Sequence, residues 1–203
     1  MGFYQRRVLP WVIDRGMRNT VMARYRPRIP PLASDRVLEV GLGAGMNLPY
    51  YGASVTHLFG IEPTTALRDA AAAAADTARF PVTLLDCGAE AIPLETGSID
   101  TVVSTWTLCS IPGIEAALGE MRRVLKPGGR LLFMEHGRAP DADVARLQDR
   151  LAPVFRGLAG CNPNRPIDQL VAAAGFGFEQ MERSYLDGPR FLSFHYIGVA
   201  RPR

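Results

Sequence analysis

The stretch RVLEVGLGAGMN, residues 36–47, decides the fold of this chain. Its apolar residues Val37, Leu38 and Val40 predict a short buried strand, and alternating glycines follow it directly. Glycine accepts positive φ and lets a ligand lie against bare backbone. A strand that runs into such a turn and then into a helix is typical of the nucleotide-binding corner of a doubly wound parallel sheet.

The spacing of the glycines narrows the class of ligand that the turn can bind. In the dinucleotide pattern G-x-G-x-x-G the third glycine would fall at position 46, where this chain has Met46. The actual pattern is E-x-G-x-G-x-G, which begins at Glu39 and ends at Gly45. It leaves the turn open beside a methionine-sized tail instead of packing a pyrophosphate on a helix N-terminus. It resembles the first motif of class I S-adenosylmethionine (SAM)-dependent methyltransferases.

An acidic residue ends the next predicted strand, residues 55–62. Glu62 lies about twenty residues after the glycines, where a carboxylate can accept hydrogen bonds from both ribose hydroxyls. Pro63 and Thr64 also resemble a helix start, so Glu62 is alternatively a helix N-terminal acid, and both roles can hold together. We favour the ribose role because the first motif is in place.

The third predicted strand, residues 81–86, leads into CGAEAIPL, residues 87–94. This segment resembles the G-D-A-E-x-L-P-F segment that surrounds adenine in the same methyltransferases. Gly88 stands where that segment usually has an aspartate. The resemblance therefore assigns the adenine edge to the backbone of Gly88 and Ala89, with Asp86 as a further candidate for the adenine amino group.

The remaining pattern completes an α/β fold. The turn LKPGGRL, residues 125–131, is frequent in this methyltransferase class and opens a fifth strand. We predict a doubly wound, mostly parallel seven-stranded sheet, the Rossmann-like SAM methyltransferase fold, with a C-terminal antiparallel hairpin that typical dehydrogenases lack. The other predicted elements are strands over 97–104, 176–185 and 191–200, and helices over 66–78, 113–125, 141–158 and 166–174.

Four short segments narrow the resemblance to a branch of the class that includes thiol methyltransferases and is similar to quinone-biosynthesis and phospholipid methyltransferases. They are NLPYY (47–51), STWTLCSIP (104–112), MEHGR (134–138) and CNPNR (161–165). The resemblance implies SAM as cofactor, S-adenosylhomocysteine as its product and a small-molecule acceptor. A thiol is the leading acceptor, and a quinone or phospholipid is the alternative.

The expected site residues follow the order of these motifs. Cofactor-binding positions are Glu39, Gly41, Gly43, Gly45, Asn47, Glu62, Pro63, Asp86, Gly88, Ala89, Thr105 and Leu108. Expected acceptor-binding positions are Trp106, Asn162 and Arg165. Methyl transfer needs alignment more than a base, and Glu135 and His136, after the fifth strand, are the candidate bases. His136 is equally well a structural histidine, and we expect His195 to be structural.

The first thirty residues carry seven arginines against one acid, Asp14, with aromatic and aliphatic residues interleaved. We divide the chain into a basic amphipathic helix and connector, residues 1–31, and a methyltransferase domain, residues 32–203. The N-terminal segment either closes the site as a lid, which we favour, or contacts an anionic membrane surface peripherally. A core-packed helix with solvated arginines is the simplest alternative.

Composition bounds the remaining functions. The net charge of +3 is small and no base-reading motif occurs, which argues against nucleic acid. No apolar run approaches the ~18 residues that span a bilayer. Three cysteines without paired spacing favour a reducing cytoplasm over disulfides or zinc, and no ligand cluster in the sequence indicates a metal.

A non-catalytic SAM-binding or membrane-peripheral module also fits, and the sequence does not indicate an oligomeric state. A nicotinamide-dependent oxidoreductase is disfavoured by Met46, by the hairpin and by the lack of a Tyr-x-x-x-Lys pair.

Overall fold

One sheet of seven strands, in the order β3-β2-β1-β4-β5-β7-β6, organises the described part of the chain. The computed structural model describes residues 9–203, and their side chains except those of Leu9, Pro10, Val12 and Ile13. The strands are β1 (Asp35–Val40), β2 (Val55–Ile61), β3 (Val82–Leu85), β4 (Ile99–Thr105), β5 (Leu125–His136), β6 (Phe176–Tyr185) and β7 (Phe194–Pro202).

The order of strands reverses between β1 and β4, which places a crevice at their carboxyl ends. β1 pairs in parallel with β2 and β4, so that Glu39 lies opposite Gly60 on one side and Val103 on the other. Val37, Leu38 and Val40 are fully buried, as strands covered on both faces require. The predicted fold class is therefore confirmed at its centre.

Helices cover both faces of the sheet. α4 shows the pattern clearly, because Ala117, Leu118 and Met121 recur at helical spacing and are buried in the core. The helices are α1 (Leu9–Met17), α2 (Thr20–Tyr25), α3 (Thr65–Ala75), α4 (Ile114–Val124), α5 (Ala142–Ala159), α6 (Ile167–Ala173) and α7 (Arg190–Ser193). None of the helices over residues 9–203 has the length and apolar character that crossing a bilayer would need.

The C-terminal hairpin is antiparallel, as predicted: β7 pairs with β5 on one side and β6 on the other. Its register places His195 opposite His136. The prediction that the last strand begins at residue 191 is wrong, because residues 190–193 form the short helix α7 after Pro189. Pro189 suits this position, since the residue before a helix does not need its N–H for the helix ladder.

The N-terminal segment forms two short helices instead of one. α1 contains Pro10 in its first turn, where proline is tolerated, and α2 begins after Asn19. The Asn19 Oδ1 accepts a hydrogen bond from the Met22 N–H at 2.9 Å, which caps the helix. Two 3₁₀ turns, Arg26–Arg28 and Pro30–Leu32, then lead into β1. Residues 1–8 of the predicted segment, with Arg6 and Arg7, lie outside the described residues.

Candidate functional site

A cavity of about 500 Å³ lies at the carboxyl ends of β1, β2 and β4. Its volume is within the range of small-molecule sites. Three residues of the N-terminal segment, Asp14, Met17 and Arg26, also line it. The cavity therefore occupies the switch-point crevice and has one wall built from the segment that precedes the sheet.

The three glycines of the first motif serve different purposes. A Cβ on Gly41 would lie 2.2 Å from the Thr107 Oγ1, and a Cβ on Gly45 would lie 2.9 Å from the Ala74 Cβ, so both allow close packing. Gly43 has φ +57° and no atom within 4 Å of the Cβ position. Gly43 lines the cavity, whereas Gly45 does not. Gly41 also lines the cavity, and Gly43 presents its backbone to the cavity with no atom near its Cβ position.

Glu62 is buried in the wall of the cavity, and its carboxylate accepts two backbone hydrogen bonds. Oε2 accepts from the Gly43 N–H at 3.0 Å and Oε1 accepts from the Thr64 N–H at 2.9 Å. A carboxylate has about four acceptor positions, so two remain for a ligand. Both sequence interpretations of Glu62 are compatible with this geometry. The carboxylate binds the backbone of the glycine turn and of the residues before α3, and it keeps free acceptor positions for the two hydroxyls of a ribose.

A buried polar network lies beside the glycine turn. Glu39 accepts hydrogen bonds from the Asn47 Nδ2 at 2.6 Å and from the Tyr51 hydroxyl at 2.8 Å. Asn47 also donates to the Thr105 Oγ1 at 2.9 Å and accepts from the Arg26 Nη1 at 2.7 Å. Burial raises the pKa of Glu39 to about 7, against the lowering effect of these hydrogen bonds and of Arg26. The network fixes the floor of the cavity.

Arg26 is a site residue that the sequence analysis missed. It is 5% exposed, and its guanidinium lies 5.3 Å from the centroid of the Trp106 ring. Its Nη2 donates to the Met17 carbonyl at 3.1 Å. Burial lowers its pKa from the usual value. Among the described residues that line the cavity, Arg26 is the only cation. In the sequence it is one of seven arginines within the first thirty residues, and nothing distinguishes it from the others.

The structure divides the predicted adenine-binding residues. Gly88 and Ala89 line the cavity, and so does Pro63. Asp86 does not: its side chain is 70% exposed, and both of its oxygens accept hydrogen bonds from Arg68 at 2.7 and 2.9 Å. The prediction for Asp86 is corrected accordingly, because Arg68 holds its carboxylate away from the cavity.

Trp106 forms a wall of the cavity in a strained backbone conformation, with φ +52°. Its Nε1 donates to the His195 Nε2 at 2.9 Å, and the His195 Nδ1 lies 2.8 Å from the Ser193 carbonyl. These two contacts select the neutral imidazole with its proton on Nδ1. Burial lowers the pKa of His195 to about 4, which agrees with a neutral ring. The structural role expected for His195 is thus to orient the indole.

Glu135 does not line the cavity, contrary to its prediction as a base. Its carboxylate is fully buried and accepts from the Ser104 Oγ at 2.7 Å and from the backbone N–H groups of Thr107 and Leu108 at 2.9 and 3.1 Å. Burial raises the pKa of Glu135 to about 8. Glu135 therefore holds the turn after β4. Leu108, predicted as a cofactor contact, is buried in that turn and also lies outside the lining.

The predicted acceptor-binding residues after α5 form hydrogen bonds with the backbone of the turn after β4. The Asn162 Nδ2 donates to the Cys109 carbonyl at 3.0 Å, and Arg165 donates to the Leu108 carbonyl. His136 lies 3.2 Å from the Cys161 Sγ through its Nε2. His136, Asn162 and Arg165 are outside the cavity lining, so these predictions are corrected; Ser110 and Gly160 line it instead.

Residues 38–133 match the family described as Methyltransferase domain. The chain is 35% identical over 153 residues to the thiol S-methyltransferase TMT1A of Homo sapiens, covering 72% of this chain and 62% of that protein. It is 44% identical over 54 residues to the ubiquinone/menaquinone biosynthesis C-methyltransferase UbiE of Rhizobium johnstonii, covering 27% of this chain and 21% of that protein. The chain spans between 62% and 64% of the length of the thiol S-methyltransferases it matches.

Solved structures agree on the fold. The putative methyltransferase in complex with the Trm112 activator of Haloferax volcanii superposes with a TM-score of 0.71 at 19% identity, and 95% of each chain is covered. The matched segment and the shared fold make this chain similar to proteins with a class I SAM-dependent methyltransferase domain. The cofactor of such a domain is SAM.

The residues present fit SAM on chemical grounds. Glu62 retains acceptor capacity for a ribose diol, and the backbone of Gly88 and Ala89 is available to an adenine edge. The guanidinium of Arg26 suits the carboxylate of the methionine moiety. The unfilled Cβ position of Gly43 leaves space for the ligand between these groups.

Proposed function

We propose that this protein transfers a methyl group from SAM to the sulfur of a small-molecule thiol. The observation that carries the proposal is the cavity itself, which combines the Glu62 acceptor positions, the open Gly43 backbone and the buried Arg26 cation. The thiol class is supported by the similarity to the thiol S-methyltransferases, which extends over 72% of this chain.

When bound, SAM supplies an already activated methyl group, so the task of the chain is alignment and exclusion of water. Apolar side chains of Met17, Met46, Trp106 and Ile111 line the cavity. Apolar walls of this kind disfavour water and suit a neutral or soft acceptor. Trp106 is held in one orientation by His195, which gives the acceptor side a fixed wall.

Neither candidate base belongs to the cavity, which supports a mechanism by positioning. The carboxylate of Glu135 is committed to the turn after β4, and His136 contacts Cys161. A thiol acceptor suits such a site because a thiolate forms near neutral pH and is a strong nucleophile. A weakly acidic alcohol or an unactivated carbon would require a base at the reacting atom.

The N-terminal segment, residues 1–31, is proposed to be a lid. Asp14, Met17 and Arg26 line the cavity, and Arg28 ties the segment to β6 through a 2.6 Å ion pair with Glu182. A peripheral membrane contact in a cytoplasmic protein is the alternative, and the 65% exposure of Trp11 is the observation that favours it. Deletion of residues 1–25 distinguishes the two, since loss of a lid weakens SAM binding and loss of a membrane contact weakens only vesicle binding.

Transfer of an isotopically labelled methyl group from SAM to a panel of acceptors tests the proposal. The panel holds an alkyl thiol, a quinol and a phospholipid amine, and an acceptor-free reaction is the control. We expect labelled thioether. Labelled quinol would establish the alternative that the similarity to UbiE favours, and labelled phospholipid would establish a phospholipid acceptor. SAM binding without transfer to any acceptor would instead support a non-catalytic SAM-binding module.

A further inference from the structure

Three side chains with soft-metal ligand atoms converge beside the cavity. Cys109 comes from the turn after β4, His136 from the end of β5, and Cys161 from the loop after α5. Their possible ligand atoms all lie within 4.8 Å of one another. The sequence shows no ligand cluster that indicates a metal, because the fold brings these residues together from three distant segments.

The surroundings of the cluster favour ligation. Cys109 is buried, and its Sγ lies 3.3 Å from the Ser110 Oγ. The His136 Nε2 lies 3.2 Å from the Cys161 Sγ, and its buried Nδ1 has no hydrogen-bond partner among the described residues. Thiolate and neutral imidazole are the forms that bind metals.

We propose that Cys109, His136 and Cys161 bind a thiophilic divalent cation of the Zn²⁺ type, with a fourth position left for an external sulfur ligand. Two thiolates and one imidazole form a donor set that zinc takes when it keeps an open position. Tetrahedral zinc with these ligands separates the donor atoms by roughly 3.5–3.8 Å. The present separations, within 4.8 Å, reach this value with small side-chain shifts.

The proposed fourth position faces the cavity side of the cluster, and the sequence neighbours of two ligands support this placement. Ser110 directly follows Cys109 and Gly160 directly precedes Cys161, and both of these neighbours line the cavity. This part of the inference rests on the proposed function: an acceptor thiol would enter the fourth position, release its proton to solvent and remain as a metal-bound thiolate. Metal coordination deprotonates a thiol outright, which would supply the nucleophile that the cavity lacks a base to generate.

Metal titration of the full chain tests the site. The protein is stripped with a chelator, kept reduced with a thiol-free phosphine and titrated with Zn²⁺ against a chromophoric competitor. We expect one equivalent to bind, and Cys161→Ser and His136→Gln each to weaken binding at least 100-fold. The control is Cys87→Ser, which removes the half-buried cysteine outside the cluster and should leave the affinity unchanged. Absence of stoichiometric binding while three free thiols are counted would overturn the proposal, as would full affinity in Cys161→Ser.

Cobalt substitution reports the ligands directly. The Co²⁺ form should show thiolate-to-metal charge-transfer absorption that is reduced in Cys161→Ser, and the spectrum should change when a small alkyl thiol is added. A Co²⁺ spectrum without sulfur ligation would overturn the site, and a spectrum indifferent to the thiol would overturn the open fourth position. SAM titration of each variant serves as a folding control. If the protein binds SAM but not Zn²⁺, the metal site is contradicted and the proposed function is not. If it binds Zn²⁺ but not SAM, the proposed function is contradicted and the metal site is not.

Discussion

The Trp106 indole and the His195 imidazole are joined by a 2.9 Å hydrogen bond from Nε1 to Nε2, and this contact holds the cavity wall. Trp106 keeps a left-handed backbone, which costs about 1–3 kcal/mol and persists only when its surroundings fix it. We expect His195→Phe to lower the free energy of unfolding by about 1–3 kcal/mol, because the indole N–H loses its acceptor. Denaturant unfolding measures this change.

A double-mutant cycle provides the control for this contact. Trp106→Phe removes the donor, so adding His195→Phe to that variant should cost less than His195→Phe alone. Equal costs in both backgrounds would show that the hydrogen bond carries no coupling and that His195 stabilises the fold by packing alone.

Glu62 and Asp86 provide a matched pair for the ribose contact. Glu62→Ala should weaken SAM binding tenfold or more, because charge-assisted hydrogen bonds contribute about 1.5–3 kcal/mol each. Asp86→Ala should leave the dissociation constant within about twofold, since its exposed carboxylate pairs with Arg68 outside the cavity. Calorimetric titration measures both, and comparable losses in the two variants would show the division between them to be wrong.

Arg26 and Arg24 test the contribution of the N-terminal segment. Arg26→Ala removes the cation of the cavity lining and a 2.7 Å hydrogen bond to Asn47, so SAM affinity should fall at least tenfold. Arg24→Ala, which removes an exposed arginine paired with Asp187, is the control and should retain wild-type affinity. Wild-type SAM affinity in Arg26→Ala would show that Arg26 does not contribute to SAM binding.

The raised pKa of Glu39 predicts that the stability of the fold depends on pH. Its pKa is about 7 in the folded chain, against 4.5 for an ordinary glutamate. Between these values the folded chain keeps a proton that the unfolded chain has lost, so stability falls as pH rises from 4.5 to 7. The contribution is at most about 3 kcal/mol. Glu39→Gln should reduce this slope and leave the part that the raised pKa of Glu135 contributes, since an amide does not titrate and can donate to the Tyr51 hydroxyl. Denaturant midpoints across that pH range measure it, and an unchanged slope would contradict the assignment.

The sequence predicted the fold because its signals are local. Val37, Leu38 and Val40 mark a buried strand and the glycines mark the turn that follows it, so both can be recognised within twelve residues. The prediction of where the last strand begins failed because Pro189 favours a helical turn over an immediate strand. Composition alone did not distinguish the helical turn from the strand.

The predicted positions that line the cavity belong to motifs that fix the backbone. Gly43 and Glu62 belong to such motifs, whereas the burial of Arg26 depends on how the N-terminal helices pack across the cavity. Glu135 ends a strand as expected, but its carboxylate satisfies two buried backbone N–H groups that the sequence does not reveal. The Cys109 cluster escaped detection because its members come from three separate elements.

Separate calorimetric titrations of the purified protein with SAM and with NADH test the central claim most directly. We expect micromolar binding of SAM at one site and no binding of NADH. Binding of NADH alone, or of neither ligand, would contradict the assignment of the switch-point cavity to SAM and with it the proposed methyl transfer.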